Sequence, residues 1–168
     1  ICNRIINGAM VIDQRNAGAS ITPTTDTYSV DRWKCNVSAS SKYSAQQNAG
    51  SVTPPAGFTN YLGITSLSAY TVGAGETYGI FQSIEGYNTA DLNWGTANAK
   101  TVTLSFWVRS SLTGTFGLCI VNGYASTYSY PVTYTISAAN TWQQISITIP
   151  GPTAGSWNTT TGTGRSEE

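Results

Sequence analysis

Three segments of the chain alternate apolar and polar residues with a period of two, and helical periodicity is scarce. The clearest is Thr101 to Ser110. There Val102, Leu104, Phe106 and Val108 alternate with Thr103, Ser105, Trp107 and Arg109. Side chains on a strand point to opposite faces in turn, so this pattern gives a strand one core face and one polar face. Val132, Tyr134 and Ile136 form a second such run, and Ile145, Ile147 and Ile149 a third, stopped by Pro150-Gly151-Pro152. Asn60 to Ala69 is less regular, with Leu62 and Ile64 in one phase and Leu67 in the other, which predicts a bulge near Thr65-Ser66. Phe116 to Val121 is apolar on both faces and reads as a central strand.

Gly, Pro and Thr/Ser clusters interrupt the chain at intervals of about 8–12 residues, the spacing of a sandwich or barrel. Further strands are expected at Ile5 to Ile12, Tyr28 to Val37 and Tyr78 to Glu85, with long polar loops at Gly18 to Thr27, Ala49 to Gly57 and Tyr87 to Lys100. The expected fold is all-β: an antiparallel sandwich of about eight or nine strands with under about 10% helix. Residues 3–156 are read as one domain. Residues 157–168 are read as a Gly/Thr-rich tail, cut short or poorly ordered. Leu104, Phe106, Val108, Leu118, Ile120, Ile145 and Ile147 are the expected core.

The surface that remains is unusual. Only 10% of the 168 residues are charged, against 25 Thr and 19 Ser, so it is built from hydroxyls and amides, as suits an extracellular or virion protein. Eight Lys+Arg balance eight Asp+Glu with no basic run, which leaves no electrostatic footprint for nucleic acid. No apolar run approaches the roughly 20 residues of a membrane helix. The start, Ile1-Cys2-Asn3-Arg4, has neither an initiator Met nor a signal-peptide stretch, and predicts a processed product or a fragment.

Catalytic chemistry finds little material. The chain has no His, the commonest general base and metal ligand. Its carboxylates are Asp13, Asp26, Asp31, Glu76, Glu85, Asp91 and the tail pair Glu167-Glu168, and no spacing singles out two for glycoside hydrolysis. Lys34, Lys42 and Lys100 lie in no Ser-x-x-Lys setting. No enzymatic activity and no cofactor are expected. Structural calcium would have only Asp26, Asp31 and Asp91 to draw on. Cys2, Cys35 and Cys119 cannot all pair and fit no zinc spacing, and Cys35 and Cys119 are expected to act as small buried hydrophobes.

The aromatics carry more information: ten Tyr and five Trp. Aromatic faces stack on the C–H faces of sugar rings, while amides, hydroxyls and Arg bond the ring hydroxyls. Trp107 falls on the polar face of the best strand, with Arg109 beside it. Tyr124, Tyr128 and Tyr130 share a Gly/Ser-containing stretch, and Trp94 sits in the loop Asp91-Leu-Asn-Trp-Gly. These six are the candidate glycan contacts. Trp33 and Trp142 are assigned to packing.

Five segments resemble a known family in order and spacing. They are Asn3-Arg-Ile-Ile-Asn-Gly-Ala-Met-Val-Ile-Asp-Gln-Arg-Asn16, Tyr28-Ser-Val-Asp-Arg-Trp33, Gln82-Ser-Ile-Glu85, the strand Thr103 to Ser110, and Thr141-Trp-Gln to Pro150-Gly151. Together they resemble the jelly-roll domain of bacteriophage tail-fibre and virion structural proteins, over roughly residues 3 to 162. The fold also resembles carbohydrate-binding modules of secreted glycosidases. The resemblance implies a jelly-roll sandwich on a phage particle, made in host cytoplasm, and often host-surface recognition. It implies no catalytic residues. Family members usually continue with further strands beyond the Gly-rich segment, so a missing strand or an open edge is expected here, which favours a homo-oligomer, a trimer above other states, and contact with other virion subunits. The expected function is therefore a non-enzymatic virion protein, in a tail fibre or adjoining surface position, that binds host glycan weakly and in many copies. The alternatives are a carbohydrate-binding module of a secreted enzyme and a capsid decoration protein without a glycan site.

Overall fold

A computed structural model describes residues 2–122, 128–157 and 159. The protein is all-β: among the described residues there are nine strands, every pairing antiparallel, and three single-turn 3₁₀ segments. It divides into two compact units, Ile1–Gln82 and Ser83–Glu168.

In the first unit, β1 (Thr27–Tyr28), β2 (Lys34–Val37) and β5 (Tyr78–Phe81) form one sheet in the order β1-β2-β5. A second sheet pairs β3 (Tyr43–Gln47) with β4 (Leu62–Ser66). Tyr43 links the two layers. Its ring is buried against Cys35 and Ala45, and its hydroxyl reaches the carbonyls of Asn36 and Gly79, each at 3.0 Å. Those two residues face each other across β2 and β5. Burial pushes the Tyr43 phenol well above its ordinary range, because its anion would be stranded among apolar neighbours and beside Cys35.

Three expectations for this unit are corrected. Ile5 to Ile12 is not a strand but a run of turns, because Asn7 binds the local backbone in place of a sheet partner. Its amide donates to the carbonyls of Ile12 and Asp31, both at 2.8 Å, and accepts from the Ile12 N–H at 3.0 Å. Tyr28 to Val37 is a tight hairpin rather than one strand. The Ser29 and Trp33 backbones close the turn at 2.9 Å, and Arg32 takes a positive φ of 76° there. The Trp33 indole donates to the Asn7 carbonyl at 3.1 Å, which ties this turn to the N-terminal segment. No bulge interrupts Thr65-Ser66, since β3 and β4 stay in register from Tyr43↔Ser66 to Gln47↔Leu62.

In the second unit, β7 (Gly114–Val121) pairs with β8 (Ser129–Ile136), and this pair is nested in sequence inside β6 (Val102–Val108) and β9 (Gln143–Ile149). The two pairs are layers of a small sandwich. The ring of Phe106 on β6 meets Tyr134 on β8 edge-on at 5.2 Å, and Tyr134 stacks on Phe116 across the hairpin at 5.9 Å. The expected core residues, Leu104, Phe106, Val108, Leu118, Ile120, Ile145 and Ile147, all take the inward phase. They are half-buried rather than buried, because each layer is two strands wide and an inward side chain has a neighbouring strand on one side only. Full burial is reached at the strand ends, at Ile136 (1% exposed) and Ile149 (2%).

For the same reason β7 is not a central strand. Its outward residues Cys119 and Val121 are exposed, which corrects the expectation of a buried Cys119. Opposite Cys119 lies Pro131. The Asn122 N–H bonds the Tyr128 carbonyl at 2.8 Å, and hydrogen-bonded pairs alternate along an antiparallel ladder. The Cys119–Pro131 pair is thus a non-bonded one. Proline's missing N–H falls on the far edge of β8, where it costs the ladder nothing and blunts that edge.

Cys35 is fully buried, and burial raises its thiol pKa above the ordinary value. The two thiols should therefore differ sharply. Brief treatment of the native protein with a maleimide is expected to modify Cys119 and spare Cys35, read by peptide mass spectrometry. Equal modification of both would mean that the β7 phase is wrong.

Candidate ligand-binding surface

The strand β6 places Trp107 outward, because its even-numbered residues take the core. The indole is 37% exposed. Gln144 lies directly across on β9, and the same face carries the pairs Ser105↔Ser146 and Thr103↔Thr148. The result is one indole beside one amide and four hydroxyls, with no charged group on the paired strands of that face. Arg109 follows two residues later. Its Nε donates to the Asn140 carbonyl at 3.0 Å, which holds the guanidinium at the turn between β8 and β9.

A second aromatic cluster forms around Trp94. Trp94 lies after the 3₁₀ turn Ala90–Leu92, and its indole N–H donates to the Lys100 carbonyl at 2.8 Å. Trp157 packs edge-on against it at 5.0 Å. Trp157 is the first residue of the expected Gly/Thr-rich tail. The segment before it is held by three contacts: Gly95 N–H to the Pro152 carbonyl at 2.8 Å, the buried Asn122 amide to the Ser156 carbonyl at 2.7 Å, and close packing of Gly155 against the Tyr128 ring. Both indole N–H groups are bonded to backbone, since Trp157 donates to Ala154 at 3.3 Å. Trp94 and Tyr128 thus meet the same strap, and Tyr128 keeps 40% of its surface exposed. Tyr130 does not join them: it takes the inward phase of β8, opposite Ile120 and in line with Val132 and Tyr134. Tyr124 lies outside the described residues, as do 158 and 160–168.

The carboxylates are engaged locally. Asp13 accepts from the N–H groups of Asn16 (3.1 Å) and Gly18 (2.7 Å), Asp26 from Val37 (3.1 Å), and Asp31 from Gln14 (3.0 Å). Glu76 accepts from the Gly73 N–H at 2.7 Å and the Tyr70 hydroxyl at 2.8 Å, and these bonds hold its carboxyl below the usual range. Among the described residues, no three of Cys, Asp and Glu gather as a metal-binding group, so Asp26, Asp31 and Asp91 are not brought together. No described helix is long and apolar enough to cross a membrane. No protein-family model, curated protein or solved structure matches the chain.

Proposed function

We propose that the chain is a non-enzymatic virion structural protein of a tailed bacteriophage, in a tail fibre or an adjoining surface position, that meets the host through weak glycan contacts repeated over many copies. The observation that carries this reading is the outward Trp107 among Gln144, Ser105 and Ser146. An indole can stack on a sugar ring while the amide and hydroxyls bond its rim. The five family-like segments and the nesting of β7–β8 within β6–β9 support the jelly-roll part of the reading, since such nesting is how a jelly roll pairs its strands.

A single stacking contact is worth about 1–2 kcal/mol, so one copy should bind sugar in roughly the millimolar to high micromolar range. Several linked copies raise the avidity by about 10²–10⁴. Trp107→Ala is expected to leave the melting temperature and oligomeric state nearly unchanged while abolishing adsorption to host cells and signals on a glycan array. If the oligomer instead falls apart, Trp107 is an assembly contact and the protein is structural alone.

A further inference from the structure

The two edges of the β7–β8 sheet are made differently. Along an antiparallel pair, residues that bond the partner strand alternate with residues whose N–H and C=O point away from it. On β8 the set pointing away is Ser129, Pro131, Thr133 and Thr135, and Pro131 breaks it. On β7 the set is Thr115, Gly117, Cys119 and Val121, and each of these has its N–H. All four are exposed, and among the described residues their backbone groups meet no partner. An open edge recruits other strands unless Lys, Pro or a bulge blunts it. β8 has the proline. β7 runs in unbroken register and carries no Lys, no Pro and no charged side chain of either sign.

The core side of β7 is incomplete at the same edge. Phe116, Leu118 and Ile120 are half-buried, with β8 on one side and no strand on the other. A second β7 supplies what is missing. Laid antiparallel about a two-fold axis at Leu118, Phe116 faces Ile120 of the second copy, and Leu118 faces its own counterpart. In that register the groups that point away from β8 also face one another. Gly117 meets Cys119 of the second copy, and Thr115 meets Val121. Nothing lies within 4 Å of where a Gly117 side chain would begin, so the facing thiol has room.

We propose that β7 is the contact strand of a two-fold dimer, which joins two copies into one continuous sheet in the order β8-β7-β7-β8. Main-chain bonds supply the attraction, and the apolar pairs Phe116–Ile120 and Leu118–Leu118 set the register. The occupant is a second copy because the strand is complementary to itself on both faces and has no charge to repel its like. A contact of this symmetry closes at two. A ring of three would have to join β7 to β8, whose edge Pro131 breaks. The proposal does not use Trp107 and is independent of the glycan reading.

The test is analytical ultracentrifugation of the whole chain over a concentration series, with amide hydrogen exchange followed by NMR. The expected result is a monomer–dimer equilibrium in which the Thr115, Gly117, Cys119 and Val121 amides become protected as concentration rises. Cys119→Pro repeats the device of Pro131, removing an edge donor that β8 does not use. It should raise the dimer dissociation constant by about tenfold or more. Cys119→Ser keeps the donor and should dimerise like the parent chain. Gly117→Lys has open space in the monomer, but in the dimer it brings two like charges to diagonal positions on one face. It should weaken dimerisation at low salt, with recovery in added NaCl. A chain that stays monomeric at millimolar concentration, a trimer, a dimer whose four edge amides stay unprotected, or a dimer indifferent to both Cys119→Pro and Gly117→Lys overturns the proposal. Should Cys119→Pro fail to fold, Gly117→Lys and the exchange pattern of the parent chain decide the matter.

Discussion

Tyr43→Ala is expected to destabilise the first unit by about 3–5 kcal/mol, the range for deleting a large buried aromatic ring. The ring is 7% exposed and packs on Cys35, which is 0% exposed, and Ala45, which is 1% exposed. Few alternatives could refill the space, because Ala45 is small and Cys35 is fixed on β2. The hydroxyl adds a separate contribution. It is the group that bridges from β3 to the Asn36 and Gly79 carbonyls. Tyr43→Phe keeps the ring and removes that bridge, and should cost about 1 kcal/mol. Urea unfolding, followed by tryptophan fluorescence from Trp33, reads both. A loss below about 1 kcal/mol for Tyr43→Ala would mean that the two sheets do not share this ring as a core.

Gly95→Ala should have the second largest effect. Gly95 has a φ of 86°, a region that costs an ordinary residue about 1–3 kcal/mol. A side chain there would also run into the Gly155 carbonyl and come within 3.0 Å of the Trp157 ring. A backbone carbonyl cannot step aside as a side chain can, so overpacking adds about 1–3 kcal/mol. The strap that ends at Trp157 would have to lift. Loss of the Trp94–Trp157 contact should appear as a red shift in tryptophan emission and a lower melting temperature. Thr96→Ala, one residue along, serves as the control for mere loop mutation. If Gly95→Ala melts and fluoresces like the parent protein, the strap is not docked as described.

The strands of the second unit were legible because their outward residues are mostly polar and their inward ones apolar, so each side chain reports its own face. What the alternation does not report is how many neighbours a strand has. Phe116 to Val121 looked central because Val121 and Cys119 are apolar, yet the strand has one partner. Pro131 was the available clue, since a proline in mid-strand belongs at an edge. In the first unit, Ile5 to Ile12 misled because its isoleucines mask the effect of Asn7, whose amide replaces ladder bonds with local ones. Trp107 was visible as a surface aromatic from phase alone. The Trp94–Trp157 pair was not, because the contact depends on Gly95 and Gly155 letting two distant segments approach.

The nesting of β7–β8 inside β6–β9 also sets the order in which the second unit can assemble. Closing β6 directly onto β9 would mean ordering the whole stretch 109–142 as one loop. Once β7 and β8 have zipped together across residues 122–128, that stretch is reduced to two short connectors, 109–113 and 137–142. Loop-closure entropy grows with the logarithm of length, about 0.6 kcal/mol for each doubling, so the outer pair closes more cheaply on a formed inner one. The hairpin is therefore expected to form first, with the outer pair closing onto it.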